Sequence, residues 1–340
     1  MDLQQVTASL ARIEDTDAIL ELNVLEYGPG DILATRADFA WRHDQNPAGQ
    51  AIIPVIRDDQ DKVVGFIWLV PLRLRIKGQD HLAATGTNLV IHPEYRNTFG
   101  YTKLIRRFDQ VFRDENIPLH FSFISEGKYQ QLRKQAPQTV GTIPVLLRPL
   151  VPLFIFRQRP PASGKETTVQ VVSQFDESFD QFWYRVQDKY PVMAVRDSAS
   201  LAWRFAQFPS RRYHILVARA GDQMLGYTVI RCATVRGIKT GLIMDLLVAS
   251  GSSGETAGDR LMAEAEAYFR RQGTLLAVSL MVPCTVECRI LRRAGYICLP
   301  QALAPRAFHF AFFVHNTNER DLLSLSKQDW FITLVNYESF

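Results

Sequence analysis

The chain has 340 residues, 47% of them hydrophobic and 22% charged, with 39 Lys and Arg against 35 Asp and Glu for a net charge of +4. That length and apolar content predict two domains with ordinary cores and exclude fibrous, disordered and disulfide-stapled chains. The small positive balance offers no basic stripe for nucleic acid. The four cysteines, Cys232, Cys284, Cys288 and Cys298, sit in apolar stretches without zinc-ligand spacing, so buried free thiols and no metal are expected.

Met1–Leu10 carries acidic Asp2 and no basic segment followed by an apolar run, which predicts a chain without a secretory signal that stays in the cytoplasm. Asp15–Leu25 has the periodicity of a leading helix, and Ala40-Trp41-Arg42, followed by Pro47, reads as a core anchor. Pro54–Ile56 and Val64–Phe66 flank a polar turn and read as an antiparallel hairpin. The strand Thr87–Ile91 then runs into the loop His92–Tyr101. In the helix that follows, Leu104, Ile105, Phe108, Val111 and Phe112 form one apolar face. Leu119–Ser125 reads as the next strand, with His120 as a core or rim residue on it.

The longest apolar stretch, Ile143–Phe156, is interrupted by Pro144, Arg148, Pro149 and Pro152 and falls short of the ~20 residues of a spanning helix. It reads as a strand, an inter-domain plug or a membrane-surface contact. Gln158–Lys165 has the prolines, Ser-Gly pair and charges of a solvated linker.

Beyond it the same elements return, displaced by about 160 residues. A second leading helix is expected at Phe179–Lys189, and Ala202-Trp203-Arg204 precedes Pro209. Ile215–Val217 and Leu225–Tyr227 form a second hairpin. Asp245–Val248 matches Asn88–Ile91, and Leu261, Met262, Ala265, Tyr268 and Phe269 match the apolar face of the first central helix. Two copies of one α/β unit with a mixed sheet follow, with expected boundaries of 1–158, a linker at 159–168, and 169–340.

In each copy a strand runs directly into a loop and a helix, whose first backbone N–H groups can hold an anion. The first loop adds Arg96, Lys103, Arg106 and Arg107. The second, Gly251–Gly258, is flexible and contains Glu255 but no base.

These loops resemble the signature of the GNAT superfamily of acyl-CoA-dependent N-acyltransferases, a V-x-P-x-x-R segment leading into R-x-x-G-x-G/A with a leucine three residues on. Ile91-His92-Pro93-Glu94-Tyr95-Arg96 and Leu104 fit it, while Phe99 and Tyr101 occupy the two glycine positions. In the second copy Gly258 and Leu261 fit, and Ser253 and Thr256 replace the arginine and the first glycine. The opening Arg12–Leu20 is also similar to the usual start of the family. The resemblance covers the whole chain as a tandem of two such folds.

It implies transfer of an acyl group from acetyl-CoA or another acyl-CoA to a small amine, such as an amino sugar, by direct attack. It places pantetheine along Asn88, Val90 and Ile91 and the diphosphate at Arg96, Asn97, Thr98, Phe99, Gly100 and Tyr101. Val248 and Gly258 are the counterparts in the second copy. Asp245, alone on an apolar strand, is a candidate base, with a structural carboxylate bonded to backbone or arginine as the alternative. Tyr129 is a candidate acid for the leaving thiolate, with aromatic packing as the alternative. Leu291 stands where the second copy should carry that tyrosine, leaving Tyr296, Tyr268 or water to replace it. Two other functions remain open: a catalytically silent scaffold binding a partner or acyl metabolite, and aminoacyl transfer from a charged tRNA. The small net charge weighs against the latter.

Overall fold

The structure is a computed structural model of the chain and describes residues 6–96, 99–150, 167–304, 306–315 and 320–337. Of the expected linker at 159–168, residues 159–166 lie outside the described residues, as do the candidates Asn97 and Thr98, while Thr167 and Thr168 open a strand.

The first compact unit draws on Met1–Phe123, Gln207–Arg211 and Ala311–Leu325. In it β1 (Thr7–Leu10), β2 (Pro54–Arg57), β3 (Val63–Ile76), β4 (Gln79–Ile91) and β5 (Leu119–Ile124) are neighbours in that order. The first four are antiparallel, and β4 and β5 are parallel. Helices α1 (Thr16–Tyr27), α2 (Arg36–His43) and α3 (Gly100–Asp114) complete the repeat. The long β3–β4 hairpin closes on Lys77 and Gly78, both at positive φ, the backbone that matches a two-residue turn to the twist of its strands. Leu104, Phe108, Val111 and Phe112 of α3 are buried on the sheet with Ile56, Val64 and Leu69, as their spacing predicts.

The second unit draws on Ile124–Ala206, Arg212–Phe310 and Ser326–Phe340. It opens with α4 (Glu126–Gln135), β6 (Val140–Thr142) and β7 (Val145–Pro149), followed by β8 (Thr167–Val172), α5 (Glu177–Val186), β9 (Val192–Ala194) and α6 (Ser198–Leu201). Next come β10 (His214–Ala220), β11 (Gln223–Val235), β12 (Ile238–Val248), α7 (Ser252–Arg271), β13 (Leu276–Leu280), α8 (Val286–Arg293) and β14 (Ile297–Cys298). The chain ends with β15 (His309–Val314), α9 (Arg320–Leu323) and β16 (Trp330–Phe331). The seven-stranded sheet has the order β14-β7-β13-β12-β11-β10-β8, with β12 and β13 parallel.

The compact units are therefore not the two contiguous halves expected at 1–158 and 169–340. β7, from the apolar stretch before the linker, enters the second sheet beside β13, pairing Val145 with Leu280 through Pro149 with Leu276. Residues 311–314 of β15 return to the first unit beside β5. Local periodicity finds such strands but carries no information on which sheet takes them.

The repeated tryptophans are core anchors as expected, Trp41 on α2 and Trp203 in a π-helical turn over Ala202–Ala206. The cysteines depart from expectation: all four are free, but only Cys288 is buried, and Cys284 and Cys298 are exposed. Cys284 sits in a turn at positive φ, and Cys298 lies on the two-residue strand at the sheet edge.

Candidate functional site

In the first unit β4 pairs with β5 only at Ala84 and Thr85 and then leaves it. Just beyond, Asn88 and Leu89 stand opposite the single residue Ile67, a bulge in which Asn88 adopts a left-handed φ of 50°. Leu89 is 41% exposed and Asn88 is half-buried, so this edge of the strand is reachable, while Val90 and Ile91 anchor it in the core.

The loop after the strand is braced by its own residues. Tyr95 is buried and its hydroxyl donates to Asp58 at 3.2 Å. Arg96 Nε donates to the Ile91 carbonyl at 2.9 Å, and its terminal nitrogen meets Glu26 of α1 at 2.5 Å in an exposed ion pair. Phe99 and Tyr101 are 67% and 48% exposed, so neither fills the cradle, and the turn into α3 has no side-chain cap. The other bases are more committed than expected. Lys103 donates to the Val6 carbonyl, Arg107 pairs with Asp114, and Arg106 is exposed.

The equivalent strand of the second unit is closed. β12 and β13 separate after the pair Ile243–Ser279, with a bulge at Met244. Asp245, Leu246, Leu247 and Val248 are each no more than 1% exposed. The Val248 amide donates to Glu287 Oε1 at 3.1 Å, and its carbonyl accepts from Lys189 at 2.7 Å. Lys189 and Tyr190 also hold Glu287, at 2.6 and 2.5 Å. Burial first, and then the Glu287 carboxylate, keep the Tyr190 hydroxyl protonated far above its ordinary range. The chain's last described segment reaches the same gap: Thr333 bridges to Met281, the Val282 amide donates to the Ile332 carbonyl, and the turn Leu334–Asn336 packs on β12.

Around it, α7 and α8 are tightly joined. A Cβ on Gly258 would stand 2.4 Å from Ile290 Cδ1, and Arg293 of α8 pairs with Glu255 and Asp259 of α7. Only the tip stays accessible, with Ser252 and Ser253 exposed and no side-chain cap on α7.

The candidate base Asp245 has the surroundings of its alternative reading, a structural carboxylate. The Asp245 carboxylate accepts from Arg196 Nε at 2.9 Å, Tyr227 at 2.7 Å and Thr333 at 2.8 Å, all buried. An arginine and two hydroxyls hold it in place as a structural carboxylate. Burial opposes the charge on Arg196, but the Asp245 carboxylate outweighs it and holds the guanidinium above its usual range.

Tyr129 lies on α4 in the second unit, half-buried, with its ring stacked on His309 at 4.0 Å. His309 is fixed in turn by Thr142 on Nδ1 and Glu126 on Nε2. His120 is buried against Phe112 with its Nδ1 2.7 Å from His315 Nε2, and burial pushes its pKa well below the ordinary value, so it is a neutral core residue. Tyr296 is buried and Tyr268 stacks on His214, which places both in packing roles. Sequence reading missed Lys189, Arg196, Glu287 and His309. Glu287 gave one usable signal, a carboxylate on the otherwise apolar start of α8.

No protein-family model and no curated protein matches this sequence. Solved structures do match the fold. A conserved Enterococcus faecalis protein of unknown function, described as a probable N-acyltransferase, shares 12% identity over 92% of this chain and 72% of that one, at a TM-score of 0.66. A GCN5-related N-acetyltransferase from Anabaena variabilis shares 14% over 92% and 73%, at 0.63. Saccharomyces cerevisiae N-myristoyltransferase, solved with bound myristoyl-CoA, shares 13% over 91% and 79%, at 0.58. This chain has the GCN5-related N-acetyltransferase fold, with two mixed sheets. Among the described residues no helix is long and apolar enough to cross a membrane.

Proposed function

We propose that the protein transfers an acyl group from acyl-CoA to a small amine, and that its first unit holds the donor. The observation that carries this reading is the edge of β4. It parts from β5 after Thr85, bulges at the left-handed Asn88, and leads to the exposed Arg96. A pantetheine arm binds such an edge as an added strand, here along Asn88, Val90 and Ile91; Ile91 is the residue whose main chain faces away from β3, because the next amide, His92, donates to Val64. The diphosphate would lie at the start of α3, with Arg96 exchanging Glu26 for a phosphate oxygen. An exposed ion pair costs little to exchange in this way.

Acyl-CoA supplies an activated thioester. The protein's task is to orient it, exclude water and return a proton to the departing thiolate. We assign that proton to Tyr129, whose ring is held by His309. Acceptors to be tested are small amines, amino sugars among them, in the cytoplasm.

Titration calorimetry with CoA tests the binding step. Arg96→Glu should weaken binding by roughly tenfold or more, since it sets a like charge beside the diphosphate. Glu255→Lys should leave it unchanged; the opposite pattern would move the donor to the second unit. Thiol release with acetyl-CoA, longer acyl-CoAs and a panel of amines tests the reaction. Failure of every CoA thioester to bind would favour a silent scaffold, the reading that Phe99 and Tyr101 in the glycine positions support.

A further inference from the structure

In the second unit, the outward main-chain groups of Val248, at the end of β12, already have partners in the chain itself. Val248 is the residue whose amide and carbonyl face away from β11, because the next amide, Ala249, donates to Leu225. Both of these outward groups are taken, one by Glu287 and one by Lys189. Deeper in the gap, Ile332 accepts from the Val282 amide of the opposite wall, and Thr333 bonds Asp245 on β12. Phe331, Ile332, Thr333 and Leu334 are each 1% exposed.

We infer that residues 331–336, a short stretch ending in the turn Leu334–Asn336, are a built-in plug occupying the cofactor slot of the second unit. The Lys189–Glu287 pair closes the mouth of that slot, so the tandem has a single acyl-CoA site. Opening the slot would strand a buried ammonium and a buried carboxylate together with two backbone groups, a cost that a pantetheine amide cannot repay with two hydrogen bonds. The exposed serine turn at the tip of α7 keeps the family shape without a channel behind it.

The count of one site rests on the proposed function; the seal does not. Two measurements on the full-length protein separate them. Calorimetry with CoA should give a single equivalent per chain, lost in Arg96→Glu and retained at unchanged affinity in Ser253→Glu, which places a negative charge on the exposed turn. Two equivalents per chain, or a site removed by Ser253→Glu, would overturn the inference. Hydrogen exchange without ligand should show the peptides containing Val248, Val282 and residues 331–336 exchanging only with global unfolding, and CoA should not alter them. Rapid exchange there, or added protection by CoA, would also overturn it. If CoA does not bind at all, the proposed function fails and the exchange data alone decide the seal.

Discussion

The fourth strands of the two sheets part from their parallel neighbours at a bulge and then diverge in chemistry. In the first unit the freed edge carries Asn88 and the exposed Leu89. In the second it carries Asp245, locked to Arg196, and Val248, capped by Lys189 and Glu287. Two similar sheets thus hold the same opening in two states, one reachable and one filled. An amide side chain at the first position tolerates solvent, whereas a buried carboxylate at the second demands a cation.

The contrast breaks most visibly at Arg196. Arg196→Ala leaves Asp245 buried without its cation and should cost about 3–5 kcal/mol in urea unfolding. Asn88→Gly, which keeps the left-handed backbone, should change stability by less than about 0.5 kcal/mol. A similar loss for both variants would erase the distinction between the two edges.

The two units should also answer pH with opposite sign. Burial raises Glu266 to about 7, against the pull of Arg148, so its contribution is full below its ordinary value of 4.5 and is lost as pH rises through 7. At most about 3 kcal/mol is involved, and Glu266→Gln should flatten that part of the Tm profile. In the first unit burial works against ionised Asp15, but hydrogen bonds from Arg57 and the Arg12 backbone, with the charges of both arginines, together outweigh it and lower its pKa below 3.8. That contribution is present above 3.8 and lost as the solution is acidified through the lowered value. Asp15→Asn should remove the acid limb only.

Smaller effects sharpen the functional half of the comparison. Tyr129→Phe should lower kcat by roughly a hundredfold with CoA affinity unchanged. An equal loss of affinity would make Tyr129 a packing residue. Glu26→Gln frees Arg96 and should tighten CoA binding by a few-fold, about 0.5–1 kcal/mol, in calorimetry at low salt. No change would mean that the guanidinium does not reach the diphosphate.

The mixed α/β fold was legible in the sequence because its signals are local. Leu104, Phe108, Val111 and Phe112 recur at helical spacing, and the Ala-Trp-Arg triplets mark the repeat whatever surrounds them. Asn88 and Arg96 could be singled out on the same footing. What escaped depends on partners far along the chain: Asp245 could be read as a base only while Arg196 and Thr333, 49 and 88 residues away, were out of view. The strand memberships of β7 and β15 escaped for the same reason. Lone residues show their chemistry in sequence; their neutralisation shows only in space.

The dispersed membership of the compact units bears on how the protein is made. The first unit includes Ala311–Leu325, so a ribosome must reach the last thirty or so residues before that unit is whole, and the second cannot complete its sheet without β7, made much earlier. Contacts of such wide separation slow folding, and a partly synthesised chain presents unpaired strand edges meanwhile. Cutting the gene near codon 160 yields two fragments that each lack a strand, so the halves are to be produced together or not at all.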